Sequence, residues 1–304
     1  MKRRMIAAVF TALALSLYAQ NVSDFEIQGN DDGTMTILNY KGMAKEIVIP
    51  EKIFNMPVSR LREGAFSGKG LTRVTIPKTV TFIGDNTFSD NRLTGVTIPE
   101  AVEYIGINAF DTNQLTGITL PEVLEYIGEG AFRNNQLTGV TIPAKVVTIG
   151  PGAFQRNRLT QVSIPDSVTY IGGSAFYENS LTTVSIGNRV VYIGASAFDG
   201  DGGNNRITTI TLGSGIKYIG NDAFMYHRAS SITIPEGVVY IGGRAFQPYT
   251  SNSVTRIRIG KYTKLGSNDY AAFADNGNFD VIYQNNDKRA GTYAYANGAW
   301  TYTP

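Results

Sequence analysis

Few residues in this 304-residue sequence could perform catalysis. His227 is the only histidine and cysteine is absent, so the chain offers no thiolate nucleophile, no cysteine ligand and no second imidazole for a metal pair. A histidine-based triad would depend on His227 alone. His227 follows Phe224 by three residues, a register in which several other repeats carry asparagine. We therefore predict a structural role for His227 and no catalytic residue.

An oxygen-rich segment containing Asp199, Asp201, Asn204 and Asn205 is the best candidate for a metal site. Its spacing fits neither the EF-hand loop nor the GGxGxD calcium repeat, because Gly203 stands where a ligand would be needed. No glycine-rich phosphate loop follows a strand and opens a helix. The sequence therefore predicts no metal site and no cofactor, and leaves open whether the Asp199 to Asn205 loop binds calcium.

An aromatic residue recurs directly before an Ile-Gly pair, and Thr148 is the only polar interruption. Because the isoleucine is expected to point inward, the preceding residue is expected to point outward. Tyrosine offers a large contact area and is enriched at interfaces, although cross-strand stacking alone would also explain the column. The members of this column, here termed the tyrosine stripe, are Phe82, Tyr104, Tyr126, Tyr170, Tyr192, Tyr218 and Tyr240. Its six tyrosines are our first candidates for partner binding.

A second column carries hydroxyl groups and is the alternative binding surface. Its members, here termed the hydroxyl column, are Thr75, Thr97, Thr119, Thr141, Ser163, Ser185, Thr211 and Thr233. Neighbouring strands lie about 4.8 Å apart, so the column is expected to form a nearly continuous ladder. Threonine also favours strands for structural reasons alone. A purely structural role for this column therefore stays open.

Both columns are placed by a repeat that is marked by phenylalanine. The marker residues are Phe66, Phe88, Phe110, Phe132, Phe154, Phe176, Phe198, Phe224, Phe246 and Phe273. The first six intervals between them are 22 residues long. A period of about 20 to 50 residues is typical of a solenoid, in which each unit buries its apolar face against its neighbours. The sequence predicts about ten stacked coils.

One repeat unit reads as a strand followed by turns. Leu115, Ile118 and Leu120 supply inward apolar side chains, the last two alternating with threonine as in a half-buried strand. Pro121 ends this strand, and Phe132 is expected to fill the coil interior. The unit shows no helical pattern. We therefore predict a mainly β repeat solenoid.

The two ends of the array lack the repeat and carry hairpin patterns. Residues 21–43 contain two alternating runs joined by a polar turn, and residues 277–304 carry Asn297-Gly298 between aromatic-rich runs. A solenoid exposes core side chains and strand edges at its ends. We predict that both segments are hairpin caps and that residues 44–276 form the repeats.

The first twenty residues indicate export. The basic segment MKRR precedes an apolar run from Met5 to Tyr18, and polar sequence begins after Ala19. This arrangement is typical of a secretory signal peptide, and the run is shorter than the roughly 20 residues of a membrane-spanning helix. An uncleaved anchor is the alternative. We predict a signal peptide over residues 1–20, no integral membrane segment after its cleavage, and a location at the cell surface, in the periplasm or outside the cell.

The aligned repeats have the form LTxVxIPxxVxYIGxxAFxxN, and the chain thereby resembles the BspA-like leucine-rich repeat family. The IGxxAF element occurs as Ile105-Gly106 with Ala109-Phe110 and in most other coils. The segments GTMTILNYKG and AGTYAYANGAW resemble the terminal segments of family members, the second those of treponemes. The resemblance implies a curved solenoid, export, a role in adhesion or protein binding, and a hydroxyl column on the concave sheet. The candidate residues of that face are Thr97, Thr119, Thr141, Ser163, Ser185 and Thr211.

The chain departs from many family repeats at one position, where asparagine replaces cysteine three residues after the phenylalanine. The residues concerned are Asn91, Asn113, Asn135, Asn157 and Asn179. Stacked asparagines can satisfy buried backbone groups between turns. We therefore predict an asparagine ladder and an unchanged fold.

Charge and repeat architecture together narrow the function. Without Lys2, Arg3 and Arg4, 24 basic residues face 25 acidic ones, a balance that argues against nucleic-acid binding. We predict an exported protein-interaction scaffold that binds a protein ligand, such as an extracellular-matrix protein or another bacterial surface protein. A structural component of the cell envelope is the first alternative. An enzyme that uses the insertion loops is the second.

Overall fold

A computed structural model of the chain describes residues 21–201, 204–266 and 271–304. The predicted signal peptide, residues 1–20, lies outside the described residues. Successive repeats form coils that stack one upon the next, and parallel strands join neighbouring coils. The prediction of a mainly β solenoid of about ten coils is therefore confirmed. No helix in the described part of the chain is long and apolar enough to cross a membrane.

One side of the solenoid is a sheet of thirteen strands, here termed the tyrosine sheet. Its strands are β1 (Phe25–Gly29), β2 (Met35–Tyr40), β4 (Lys52–Ile53), β5 (Met56–Leu61), β7 (Phe82–Ile83), β8 (Tyr104–Ile105), β9 (Tyr126–Ile127), β10 (Thr148–Ile149), β12 (Tyr170–Ile171), β14 (Tyr192–Ile193), β16 (Tyr218–Ile219), β18 (Tyr240–Ile241) and β20 (Lys264–Leu265). From β5 onward the path is parallel and each coil adds one two-residue strand in register, so Tyr104 pairs with Tyr126 and Ile105 with Ile127. This register builds the tyrosine stripe.

Glycine permits this close stacking of coils. A Cβ atom added at Gly128 would lie 2.4 Å from the carbonyl carbon of Gly106 in the preceding coil. Such a distance is far below van der Waals contact between carbon atoms. The glycine that follows each isoleucine is therefore required by the approach of one backbone to the next.

Part of the hydroxyl column lies on shorter sheets, one of which includes the C-terminal hairpin. The strands are β3 (Glu46–Val48), β6 (Arg73–Thr75), β11 (Gln161–Ile164), β13 (Thr183–Ile186), β15 (Thr209–Thr211), β17 (Ser231–Thr233), β19 (Arg256–Ile259), β21 (Gly291–Ala296) and β22 (Ala299–Thr303). They form three separate groups: β3 with β6, β11 with β13 and β15, and β17 with β19, β21 and β22.

The nearly continuous ladder predicted for the hydroxyl column is therefore wrong. The segments 95–98, 117–120 and 139–142, all within the described residues, form no strand. Each begins with glycine, which has no side chain to pack and is disfavoured in strands. The contact from Thr116 N to Thr94 O is 3.3 Å long there, whereas that from Thr182 N to Thr160 O is 2.9 Å.

Stacked phenylalanine rings form the axis of the core. The markers from Phe66 to Phe246 are fully buried, and Phe273 is 1% exposed. Neighbouring ring centroids lie 5.0 to 5.5 Å apart and the rings are close to parallel. Each ring thus covers the next, as expected for a solenoid that buries its apolar face between repeats.

Both ends of the stack are covered. The antiparallel pair β1 and β2 lies at the N-terminal end, where Tyr40 stacks on Phe66 at 5.9 Å. At the other end helix α1 (Phe279–Asn285) precedes the β21–β22 hairpin. The sequence predicted a hairpin here without a helix. The helix is short, and contacts of Phe279 with Phe273 and Trp300 stabilise it through tertiary packing.

Candidate functional site

Buried asparagine side chains fix the turn that follows six of the ten core phenylalanines. In one coil the Oδ1 atom of Asn135 accepts a hydrogen bond from the Leu115 N–H at 3.0 Å. Its Nδ2 group donates to the Phe110 carbonyl at 2.9 Å and to the Phe132 carbonyl at 3.2 Å. The buried asparagines in this arrangement are Asn91, Asn113, Asn135, Asn157, Asn179 and Asn205. They join neighbouring coils and thereby hold both surface columns in register.

His227 fills the same position one coil beyond Asn205. Its Nδ1 atom accepts a hydrogen bond from the Ala229 N–H at 3.0 Å, which leaves Nε2 to donate to the Phe246 carbonyl at 3.2 Å. The side chain is 1% exposed, and burial lowers its pKa to about 4. The imidazole is therefore neutral at physiological pH and has both nitrogens engaged in structural contacts.

One residue of the oxygen-rich loop, Asn205, belongs to the asparagine ladder. Asn205 Oδ1 accepts a hydrogen bond from the Leu181 N–H at 3.0 Å, and its Nδ2 donates to the Phe176 carbonyl at 3.0 Å. Sequence reasoning missed this role because the four-residue insertion moves Asn205 away from its phenylalanine. The signal was present downstream, since Asn205 precedes Ile207 by two residues as Asn179 precedes Leu181.

Asp199, in the same loop, is a buried carboxyl group that accepts a hydrogen bond from the Asp201 N–H at 2.9 Å. Burial raises the pKa of Asp199 to about 7, and the nearby carboxylates of Asp201 and Asp222 act in the same direction. Within the described part of the chain, no group of three or more histidine, aspartate or glutamate side chains could hold a metal ion.

The tyrosine stripe combines stacking with exposure. Tyr170 and Tyr192 are each 37% exposed and Tyr218 is 45% exposed, whereas Tyr104 and Tyr126 are half-buried. Tyr240 is half-buried as well. Ring centroids lie 5.3 Å apart between Tyr104 and Tyr126 and 5.2 Å apart between Tyr170 and Tyr192, with nearly parallel planes. The rings therefore support one another while their outer edges face solvent.

The hydroxyl groups of Tyr104 and Tyr126 stay protonated. Burial raises the pKa of Tyr104 and Tyr126, and the Asp85 carboxylate raises both further. Glu129 adds to the effect at Tyr126. These phenols are neutral hydrogen-bond donors and acceptors at physiological pH.

The hydroxyl column is exposed except at Ser185, which is half-buried, and its backbone is not uniform along the array. Thr97, Thr119 and Thr141 lie on the glycine segments, and Ser163, Ser185 and Thr211 lie on β11, β13 and β15. A groove of about 590 Å³ runs over β6 and the first two glycine segments. Ile118, which was predicted to face inward, is only half-buried there. The missing glycine side chains leave apolar groups accessible in this groove.

The two candidate surfaces lie on different sides of the same coils. β9 carries Tyr126 on the tyrosine sheet. Thr119 lies in the glycine segment that precedes β9, before the turn that leads into this strand. Sequence reasoning missed the residues that flank the stripe, which include Glu125 and Glu129 around Tyr126. Reading the positions before and after each tyrosine as columns would have found them.

Comparisons with known proteins give one family and several similar folds. The family model described as the BspA type leucine rich repeat region matches residues 39–160 and 147–280 in six copies. No curated protein sequence matches the chain significantly.

Several solved structures are similar to this chain. A leucine-rich repeat protein of T. pallidum is 22% identical over 66% of this chain and 84% of that chain, with a TM-score of 0.44. A leucine-rich cell surface protein of Faecalibacterium prausnitzii is 25% identical over 75% of this chain and 85% of that chain, with a TM-score of 0.43. The pneumococcal vaccine antigen PcpA is 19% identical over 79% and 76% of the two chains, with a TM-score of 0.48.

Proposed function

Because the chain belongs to the BspA-type leucine-rich repeat family, as its repeat motif predicted, we propose that it is an exported scaffold that binds a protein ligand. Its solenoid presents two repeated surfaces on a rigid array of coils. Repeat arrays of this kind offer extended binding surfaces rather than a single enclosed cleft. The basic and apolar start of the sequence, residues 1–20, supports the proposal of export.

The tyrosine stripe carries the proposal that this scaffold is an adhesin or a binder of host factors. Exposed rings held in a stack need little further ordering when a partner binds, so contact with them has a small entropic cost. Tyrosine is also enriched among residues that dominate binding energy. Tyr170 and Tyr192, each 37% exposed within a stacked pair, are the observation on which this proposal rests.

A comparison of two variant sets tests the proposal. Mature protein, extending from residue 21, is immobilised and screened against purified extracellular-matrix proteins and against itself. The first set replaces Tyr126, Tyr170 and Tyr192 with serine, and we expect it to weaken partner binding by about tenfold or more. Circular dichroism and thermal melting establish that the array persists in this set.

The matched set replaces Thr119, Thr141 and Ser163 with lysine on the hydroxyl column. Loss of binding in this lysine set, with full binding by the tyrosine set, would transfer the site to the hydroxyl column. Absence of binding to any matrix protein combined with self-association would favour a structural role in the cell envelope. Either result contradicts the assignment of the tyrosine stripe.

A further inference from the structure

The tyrosine stripe contains a slot at Thr148, and we propose that this slot receives an arginine side chain of the protein ligand. The inference rests on the proposed function, since it assigns the chemistry of one contact with the partner. Three features carry it: the missing ring at Thr148, the carboxylates beside the slot, and an arginine of this chain that already lies over the end of the stack.

Thr148 interrupts a stack of rings without interrupting the sheet beneath it. β10 pairs in parallel with β9 and β12, which places Thr148 directly between Tyr126 and Tyr170. Strands in a sheet are about 4.8 Å apart, so two steps separate these tyrosines by about 9.6 Å. In the three stacked pairs of the stripe, Phe82–Tyr104, Tyr104–Tyr126 and Tyr170–Tyr192, the ring centroids lie 4.9 to 5.3 Å apart. The gap therefore has the width of one planar group stacked between two rings.

Both rings that border the slot turn a face toward it. Tyr126 stacks on Tyr104 on its other side, at an angle of 8° between the planes, and Tyr170 stacks on Tyr192 at 4°. The ring face that points away from Thr148 is covered by Tyr104 in the case of Tyr126 and by Tyr192 in the case of Tyr170. The ring faces that point toward Thr148 are the ones on which no other ring stacks. A planar group from a partner would restore the periodicity of the stack.

The charge beside the slot favours a cation over a neutral ring. Glu125 and Glu129 flank Tyr126, and both are exposed. Among the described residues, no basic side chain forms an ion pair with either carboxylate. The nearby Arg133 guanidinium forms its ion pair with Asp111, at 2.9 Å, and interacts with Glu129 only as a more distant charge. The carboxylates are thus available to a cation that enters from solvent.

The charge changes on the other side of the slot. In the coil of Tyr170 the positions equivalent to Glu125 and Glu129 are Thr169 and Gly173, which carry no charge, and in the coil of Thr148 they are Val147 and Pro151. The slot consequently has one acidic wall and one uncharged wall. A guanidinium suits both, because it is charged, planar and weakly hydrated and stacks on aromatic faces. A lysine ammonium would satisfy only the acidic wall.

The chain itself shows that a guanidinium fits against this stack. Arg60, on β5, pairs in register with Phe82, the first ring of the stripe. Its guanidinium carbon lies 5.5 Å from the centroid of the Phe82 ring. Glu63 and Asp85 line the same small pocket of about 300 Å³ as Arg60 and Phe82. Carboxylate, guanidinium and ring therefore already occur together at the end of the stripe.

The test uses mature protein and two labelled nine-residue peptides. One peptide contains three arginines separated by glycine and serine, and the other contains lysine at the same three positions. Fluorescence anisotropy at low salt measures both affinities. We expect the arginine peptide to bind at least about fivefold more tightly than the lysine peptide, because the guanidinium adds stacking to the ionic contact.

Filling the slot from within is the decisive variant. Thr148→Tyr should complete the stack, leave the melting temperature unchanged or higher, and weaken binding of the arginine peptide by about tenfold or more. Thr148→Ser, which keeps the slot open, is the matched control and should bind within about twofold of wild type. Glu125→Gln should weaken both peptides by about twofold to fivefold, the range for an exposed ion pair.

Three outcomes would overturn the inference. Equal binding of the arginine peptide by wild type and Thr148→Tyr would place the contact elsewhere. Equal affinity for arginine and lysine peptides would reduce the interaction to charge alone. Tighter binding of a peptide with phenylalanine at the same three positions would assign the slot to an aromatic side chain. These titrations need no matrix protein, so they are independent of the screen for a partner. The arginine peptide can fail to bind while the scaffold still binds a matrix protein, and the peptide can bind while no matrix protein does.

Discussion

A single histidine makes the stability of this asparagine-linked stack dependent on pH. His227 is held neutral by burial, and its folded-state pKa is about 4, compared with 6.5 for a free side chain. As pH falls below 6.5 the unfolded chain binds a proton at this residue, whereas the folded chain does not. The unfolded state is then favoured, so the contribution of His227 to stability decreases between pH 6.5 and pH 4.

The variant His227→Asn is expected to remove this dependence. The free energy of unfolding of the variant relative to wild type should rise by about 2 to 3 kcal/mol between pH 7.5 and pH 4.5. Urea unfolding at both pH values measures the difference, and carboxyl groups such as Asp199 contribute equally to both proteins. The reverse substitution, Asn157→His, should introduce the same pH dependence. A difference that is constant with pH would show that folded His227 accepts a proton.

At the scale of single residues, the ladder could be predicted where the spacing was regular. Asn135 follows Phe132 by three residues, and repetition of that interval indicated stacked amide groups. Asn205 was assigned instead to a candidate metal loop, because an insertion separates it from Phe198. The interval from the phenylalanine therefore hides the hydrogen bond that Asn205 accepts from the Leu181 N–H, whereas the interval from Asn205 to Ile207 matches that from Asn179 to Leu181.

At the scale of strands, the hydroxyl column lies on a sheet in some coils and on irregular backbone in others. Glycine occupies the first position of the segment in the coils that lack the strand. Gly95, Gly117 and Gly139 each stand where β11 has Gln161 and β13 has Thr183. A Cβ atom added at these three glycines would meet no atom within 4 Å. Nothing in the packing therefore requires glycine there, and its effect is to weaken the strand.

We expect Gly117→Thr to stabilise the protein by about 0.5 to 1 kcal/mol, by restricting the unfolded chain and favouring the strand. The φ angle of Gly117 is not in the left-handed region, so threonine enters without strain. Urea unfolding measures the gain. Gly128→Thr is the contrasting control, because its Cβ would lie 2.4 Å from the Gly106 carbonyl carbon and should destabilise the coil. A loss of stability in Gly117→Thr would mean that the glycine segments need their flexibility.

The elements at the ends were predictable in part. Hairpins were indicated by the polar turn between Phe25–Gly29 and Met35–Tyr40 and by the pair Asn297-Gly298. Antiparallel strands form at both places. Helix α1 could not be predicted with the same ease, because seven residues give too short a pattern to separate helix from turn. Its stability comes from side chains that are distant in sequence.

At the scale of the whole molecule, the solenoid is a one-dimensional stack in which each coil contacts its neighbours. Its two surfaces were predicted from alignment, because a repeat with constant spacing brings equivalent residues into columns. The sequence marks Thr148 as the polar interruption of the stripe, but it does not show where strand pairing is lost beside the hydroxyl column. The gap in the hydroxyl side and the slot at Thr148 arise where one residue type departs from its column.

The C-terminal cap offers a test of how far this stack behaves as a chain of neighbours. Trp300 is the only tryptophan, and its indole N–H donates to the Asn276 carbonyl at 3.1 Å. Phe279 lies at the centre of the cap, 4.8 Å from the Phe273 ring and 5.2 Å from that of Trp300. Tryptophan fluorescence therefore reports the cap, while far-ultraviolet circular dichroism reports the array of coils.

We expect Phe279→Ala to separate these two signals in urea. Deleting a buried phenylalanine costs about 3 to 5 kcal/mol, and in a repeat array that loss acts first on the unit that contains it and on its neighbour. The fluorescence midpoint should move to lower urea than the circular dichroism midpoint, whereas both coincide in wild type. Phe54→Ala, at a ring that is 74% exposed in the first coil, should change neither midpoint. If both signals shifted together in Phe279→Ala, the coils and the cap would unfold as one cooperative unit, and the nearest-neighbour description of this stack would be wrong.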